Sequence, residues 1–396
     1  MNLRVSAVWL SLLGGCLNPV SETGPQDGGL DAGQFRLDGG ACAPGASGGA
    51  PYLLTRTLPV ASPIYLAKGD FNRDGKMDLV AANEVANTVT VLLGNGDLTF
   101  GVPLALSVGQ KPVEVLVADL DGDGKLDLLV TNNLSDSLSV LLGHGDGTFE
   151  SQQTFPVGGW PQGTGVGDFN ADGQLDVAVG NVRDDNVSVL TGNRSTGFDS
   201  QRTWPAGAQA VSVAVADFNG DGKPDLAVTN PSRLDGTGTV SLLLGRGDGT
   251  FQAQRTFATG NVHPIGCYVA DFNRDGKPDV ATVSQFSSRS VSILMGDGVG
   301  GLLSARTFPV GSDSRLFAVG DLDGDGKTDL AVPNFADATV SLLRGNGDGT
   351  FQAQRLLTAG AGAASVVIAD FDGDCAPDLV VANRTAGSLS VFRAVP

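Results

Sequence analysis

The chain has 396 residues, of which 57 are glycine and 19 are proline, and its 43 acidic against 25 basic side chains leave a net charge of −18. That balance is hostile to nucleic acid, which wants a basic stripe. Two histidines leave little from which to build a zinc centre or a general acid–base pair.

The first sixteen residues, MNLRVSAVWLSLLGGC, hold one arginine and an apolar run from Val5 to Leu13. Nine residues are too few to span a bilayer, so this run is expected to be an export signal. It closes on Leu13-Gly14-Gly15-Cys16, which resembles a bacterial lipobox, whose cysteine is lipidated after cleavage. The alternative is an ordinary signal with a chance cysteine. Residues 17 to 50 are rich in Gly, Pro, Asp and Ala, the composition of a flexible tether. The expected location is the bacterial cell envelope, with the membrane touched only through lipid on Cys16.

From residue 51 the chain is built on a nine-residue acidic loop that recurs seven times, starting at Asp70, Asp119, Asp168, Asp217, Asp271, Asp321 and Asp370. Successive starts are 49, 49, 49, 54, 50 and 49 residues apart, a period typical of solenoids and propellers. Side-chain oxygens stand at positions 1, 3, 5 and 9, and a glycine at position 6 takes the sharp turn in six loops. With the backbone carbonyl of position 7, this is a shell of hard oxygen donors suited to calcium; magnesium demands a stricter octahedron, and zinc favours His or Cys. The expected ligand sets are Asp70, Asn72, Asp74, Lys76 and Asp78; Asp119, Asp121, Asp123, Lys125 and Asp127; and Asp168, Asn170, Asp172, Gln174 and Asp176. They continue as Asp217, Asn219, Asp221, Lys223 and Asp225; Asp271, Asn273, Asp275, Lys277 and Asp279; Asp321, Asp323, Asp325, Lys327 and Asp329; and Asp370, Asp372, Asp374 and Asp378. The position-7 residue serves through its carbonyl.

An EF-hand would need Glu at position 12, where these loops carry Ala81, Val130, Val179, Val228, Thr282, Val332 and Val381. Plain strand-joining turns would explain Asp-Gly but not a fourth oxygen at position 9 in every loop. Up to seven calcium ions are therefore expected. Loop seven is the weakest candidate, because Cys375 replaces the glycine and a Cβ is strained at positive φ. The loops hold 24 of the 43 acidic residues, so bound dications would offset most of the charge.

Around each loop four short Val-, Leu- and Ala-rich runs repeat, as in SVAVADF, DLAVTN, TVSLLLGRGDGTF and QRTFATG of the fourth unit. Four strands repeated seven times make an all-β, seven-bladed β-propeller of antiparallel blades. The run YLLTRTLPV from Tyr52 aligns with the fourth strand of another unit, while the C-terminal SLSVF ends on a third strand. The N-terminal strand is thus expected to close the last blade. The V-x-V-A-D-F-N-G-D-G-x-x-D-L pattern, followed by LLGNGDGTF-like turns, resembles the FG-GAP or VCBS repeats of seven-bladed propellers such as integrin α-subunit heads and a calcium-containing fungal lectin. That resemblance covers about 340 residues. It implies calcium in the loop between first and second strands, and binding or adhesion rather than catalysis.

Cys267 falls in an inner strand and is expected to be a free core thiol. Cys42 lies ten residues before the closing strand, which enters from the loop face, so a Cys42–Cys375 disulfide is expected to clasp the N-terminal strand to the last blade.

The face away from the loops is where the units differ in length. Insertions after Asn230 and Ser284, and the segment GNVHPIG, put Arg233, Asp235, His263, Phe286 and Arg289 on one sector, with Trp160 nearby on the same face. These are the candidate partner contacts; tolerated insertions are the bland alternative. The Arg246-Gly247-Asp248 tripeptide aligns with NGD and HGD turns elsewhere and is expected to be a hairpin turn. The expected function is a calcium-stabilised monomeric propeller binding a protein or glycan. A lectin-like module and, less favoured, a polysaccharide-acting enzyme are the alternatives, no convergent acid–base set being visible.

Overall fold

The computed structural model describes residues 52–193, 197–231, 238–286 and 288–395. Among these residues there are seven four-stranded antiparallel sheets and no helix. The first blade runs Pro63–Gly69, Asp78–Asn83, Thr88–Leu92 and Leu104–Ser107 from inside to outside. The next five follow the same order. Blade three carries an added two-stranded hairpin, Gly192–Asn193 with Gly197–Phe198. The seventh consists of Ala363–Ala369, Asp378–Asn383, Ser388–Ala394 and, on its outer edge, Tyr52–Pro59.

That outer strand pairs antiparallel with the last strand of the chain from Tyr52↔Ala394 to Pro59↔Ser388, with one bulge between Leu54 and Arg56. The ring therefore closes as the repeat alignment requires. The inner strand Pro63–Gly69 lies against both Pro112–Ala118 and Ala363–Ala369, so the first and last blades are neighbours.

Burial explains the strand sequences. Each second strand, such as Asp127–Asn132, is buried along its length, and its interior is accordingly mostly Val, Leu and Ala. Fourth strands such as Arg202–Pro205 and Arg306–Pro309 are exposed except at the third residue. Arg, Thr and Gln on these edges discourage pairing with another chain. Second strands end on asparagine in six of the seven blades, and the side chain has a purpose: Asn83 Nδ2 donates to Thr88 and Thr90, and Asn132 Nδ2 to Ser139, across the buried second-to-third-strand turn.

Adjacent blades interlock through loop position 2. Phe71 packs edge-on against Phe149 of the next blade at 5.6 Å, Phe169 against Phe251 at 5.4 Å, and Phe371 against Phe100 at 6.0 Å, the last joining blade seven to blade one. Carbonyls at this position accept hydrogen bonds from the next hairpin: Gly147 N to Phe71 O at 3.0 Å, Gly249 N to Phe169 O at 2.8 Å, and Gly349 N to Phe272 O at 3.0 Å. The acidic loops with phenylalanine at position 2 are therefore also blade-to-blade joints.

Cys267 is buried and free, as expected, and burial pushes its thiol up to about 12. Cys375 is disulfide-bonded; its expected partner Cys42, the lipid-bearing Cys16 and the tether lie outside the described residues.

Candidate metal loops and the opposite rim

The seven loops share one backbone cradle. The position-1 aspartate accepts the N–H of position 6 in all of them, at 2.8 Å from Gly75, Gly124, Gly222, Gly276 and Gly326 and at 2.9 Å from Gly173 and Cys375. The position-5 aspartate accepts the N–H of position 7, from Lys76 N to Asp74 at 3.0 Å through to Ala376 N to Asp374 at 2.9 Å. Position 6 is left-handed throughout, at φ 80° for Gly75 and 68° for Cys375. The strain expected at Cys375 therefore does not disrupt the turn; the residue adopts the glycine conformation and keeps its hydrogen bond.

Position 9 has a second role that its place in a ligand set did not suggest. Asp225 is fully buried, and its two oxygens accept from Phe218 N at 2.9 Å and from Gly245 N, at the start of the third-to-fourth-strand hairpin, at 2.7 Å. The same pair of bonds recurs at Asp78, Asp127, Asp176, Asp279, Asp329 and Asp378. This carboxylate is a latch between loop and hairpin. Each oxygen keeps a further lone pair to offer.

Burial, with added repulsion from other carboxylates of the same loop, pushes Asp78, Asp127 and Asp176 up to about 6. The same causes push Asp225, Asp279, Asp329 and Asp378 up to about 7. A buried carboxylate held beside two others is stabilised by a cation among them. Carboxylate oxygens of Asp119, Asp121 and Asp127 already lie within 4.8 Å of one another, as do those of Asp321, Asp323 and Asp325. Loops two and six thus gather their carboxylates, and loops one to six share the donor chemistry calcium takes: oxygen only, preformed turn, excess negative charge. Loop seven also gathers Asp370, Asp372 and Asp374, but a guanidinium, that of Arg393, already bridges two of them.

On the opposite face, the residue eight positions before each loop is left-handed in every blade. These residues are Ser62 (φ 51°), Lys111 (55°), Trp160 (53°), Gln209 (55°), His263 (51°), Asp313 (52°) and Gly362 (74°). The conformation is held from both sides. Trp160 N donates to Asp136 of the preceding blade at 2.9 Å, while its carbonyl accepts from Val182 N at 3.2 Å. Only the last member is glycine, the residue that adopts this conformation without cost. Of the expected contacts, Trp160 is 49% exposed and Phe286 57%. His263 and Phe286 stack edge-on at 5.6 Å, so the structure does bring this pair together. Arg289 is exposed and left-handed (φ 45°) nearby in blade five, whereas Trp160 stands apart in blade three. Arg233 and Asp235 lie outside the described residues. Asp248 caps its own turn, accepting from Thr250 N at 3.0 Å, so the Arg-Gly-Asp sequence is a hairpin turn.

The FG-GAP-like repeat pattern matches residues 70–130, 119–179, 168–228, 232–282 and 321–381, which together contain all seven loops. Among curated proteins the chain has no match. Among solved structures it is similar to an Agrocybe aegerita lectin that recognises non-reducing terminal N-acetylglucosamine, with 19% identity, a TM-score of 0.54 and coverage of 82% of this chain and 86% of that one. It is also similar to BBS1N in complex with ARL6DN, with 12% identity, a TM-score of 0.60 and coverage of 87% and 97%. A candidate 6-phosphogluconolactonase from Bacteroides fragilis gives 17% identity, a TM-score of 0.58 and coverage of 77% and 86%. At these identities the likeness is one of fold.

Proposed function

The chain belongs to the FG-GAP-like repeat family, and we propose that it is a calcium-stabilised binding propeller that recognises a protein or glycan through the rim opposite its acidic loops. The observation that carries this reading is the contrast between the two faces. The loop face repeats one cradle seven times, with the same hydrogen bonds in each copy. The other face presents Ser, Lys, Trp, Gln, His, Asp and Gly at seven equivalent left-handed positions, six of which would be cheaper as glycine. Rigid, chemically different side chains held at a cost of about 1 kcal/mol each are what a recognition surface needs.

Both partner classes belong in the proposal, since propellers of this shape recognise a sugar in the Agrocybe lectin and accompany ARL6 in BBS1N. Calcium in these loops would fix the scaffold, since loops with phenylalanine at position 2 bond to the next blade. Cys16 and the segment after it would display the propeller from the cell envelope.

The test is glycan-array and pull-down binding by the full chain, repeated with Trp160→Ala and His263→Ala. Loss of a specific partner in either variant, at unchanged melting temperature, supports the rim. Undiminished binding by both contradicts it.

A further inference from the structure

The seven loops serve as controls for one another, and loop seven differs in where its cation comes from. In five loops the lysine at position 7 rests on the position-5 aspartate: Lys76 on Asp74 at 3.6 Å, Lys125 on Asp123 at 2.5 Å, Lys223 on Asp221 at 3.6 Å, Lys277 on Asp275 at 3.8 Å and Lys327 on Asp325 at 2.6 Å. These lysines are local, flexible and about a third to a half exposed, so each can swing into solvent when a dication enters. Loop seven has Ala376 there. Its cation is Arg393, from the last strand, with Nε 2.6 Å from Asp372 Oδ2 and Nη2 2.9 Å from Asp374 Oδ2.

This guanidinium joins the position-3 and position-5 carboxylates, the two groups a dication would have to claim. Its backbone is fixed while its side chain is 46% exposed: Arg393 pairs in register with Leu53 of the closing strand, and the next residue, Ala394, donates its N–H to the position-9 latch Asp378 at 2.9 Å. The Asp372 side chain it holds is only 9% exposed. A planar fork bonded to two carboxylates is a stronger partner than an ammonium resting on one. At the equivalent strand position the other blades carry Leu93, Leu142, Thr191, Leu244, Met295 and Arg344. Arg344 reaches one carboxylate, Asp323, at 3.1 Å and leaves Asp325 to Lys327.

We infer that loop seven takes no calcium: Arg393 is its resident cation, and the blade that closes the ring is held without metal. The closing strand is fastened to the same loop by Tyr52, whose hydroxyl donates to Pro377 O at 3.0 Å. Closure of the ring then survives calcium depletion that loosens the other six loops. This inference rests on the calcium reading of loops one to six.

The test counts calcium ions on the full chain by native mass spectrometry at saturating calcium, in wild type and in Arg393→Leu, with Arg393→Gln as a second variant should leucine disturb the strand. The expected result is one more ion on the variant than on wild type. Equal counts in wild type and both variants would overturn the inference while leaving calcium in the other loops intact. No bound ion on any of them would remove the calcium reading, and the inference with it.

Discussion

Glu114 offers a quantitative test of how tightly the inner strands pack. It lies on the inner strand of blade two, is 8% exposed, and has one oxygen, Oε2, without a partner. Burial pushes its carboxyl up from 4.5 to about 8, against hydrogen bonds from Thr164 and Tyr65 that favour the ionised form. Because the folded pKa lies above the unfolded one, the associated stability is complete below about pH 4.5 and is lost as pH rises through about 8. At pH 6 the unfolded chain has already released its proton, while the folded protein keeps it until about pH 8. The difference amounts to about 2–3 kcal/mol, or roughly 3–4 °C in melting temperature for a domain of this size. Glu114→Gln keeps one acceptor and removes the charge. The variant's margin over wild type should widen by about 2–3 kcal/mol between pH 6 and pH 9. Thermal melts of both proteins across this range, in saturating calcium, measure the difference. Parallel pH profiles for wild type and variant would refute the argument that this carboxyl is desolvated.

Asp225→Ala removes the acceptor for two buried N–H groups, Phe218 and Gly245, and should cost about 2–4 kcal/mol in urea denaturation; a loss below about 1 kcal/mol would show that the latch is dispensable. Cys42→Ser should lower stability by about 4–5 kcal/mol if Cys42 is the partner of Cys375, since the closed loop would exceed 300 residues. Non-reducing peptide mapping that links Cys375 elsewhere would contradict this pairing. Trp160→Gly relieves a left-handed tryptophan and should raise stability by about 0.5–1 kcal/mol while weakening partner binding; a stability loss on denaturant titration would mean the side chain serves the scaffold instead.

What could be read from the amino-acid order was whatever repeats. Asp70 through Asp370 set the blade count, and the match of Tyr52–Val60 to a fourth strand predicted the pairing Tyr52↔Ala394 that closes the ring. Features that depend on contacts between blades were not legible. The burial of Asp225 follows from its bonds to Phe218 and Gly245, and Gly245 lies twenty residues away in a hairpin whose register no local pattern states. The left-handed ring from Ser62 to Gly362 carries no shared residue type, so nothing in composition marks it; the glycine at its last member was the one available clue. Arg393 did have a signal, since five of its six counterparts are uncharged. It gains meaning only once the third strand is seen to end beside Asp372 and Asp374. Cys375 was judged by its Cβ alone, and the loop absorbs that Cβ at φ 68°.

The claim on which the rest depends is that the acidic loops are calcium sites that stabilise the blade joints. The direct measurement is the melting temperature of the full chain in calcium, in magnesium at the same concentration, and in chelator. Each occupied loop contributes about 2.7 kcal/mol when calcium is a hundredfold above its dissociation constant, so several loops together should raise the midpoint by 10 °C or more over chelator, with a much smaller rise in magnesium. The same midpoint in calcium and in chelator would contradict the account.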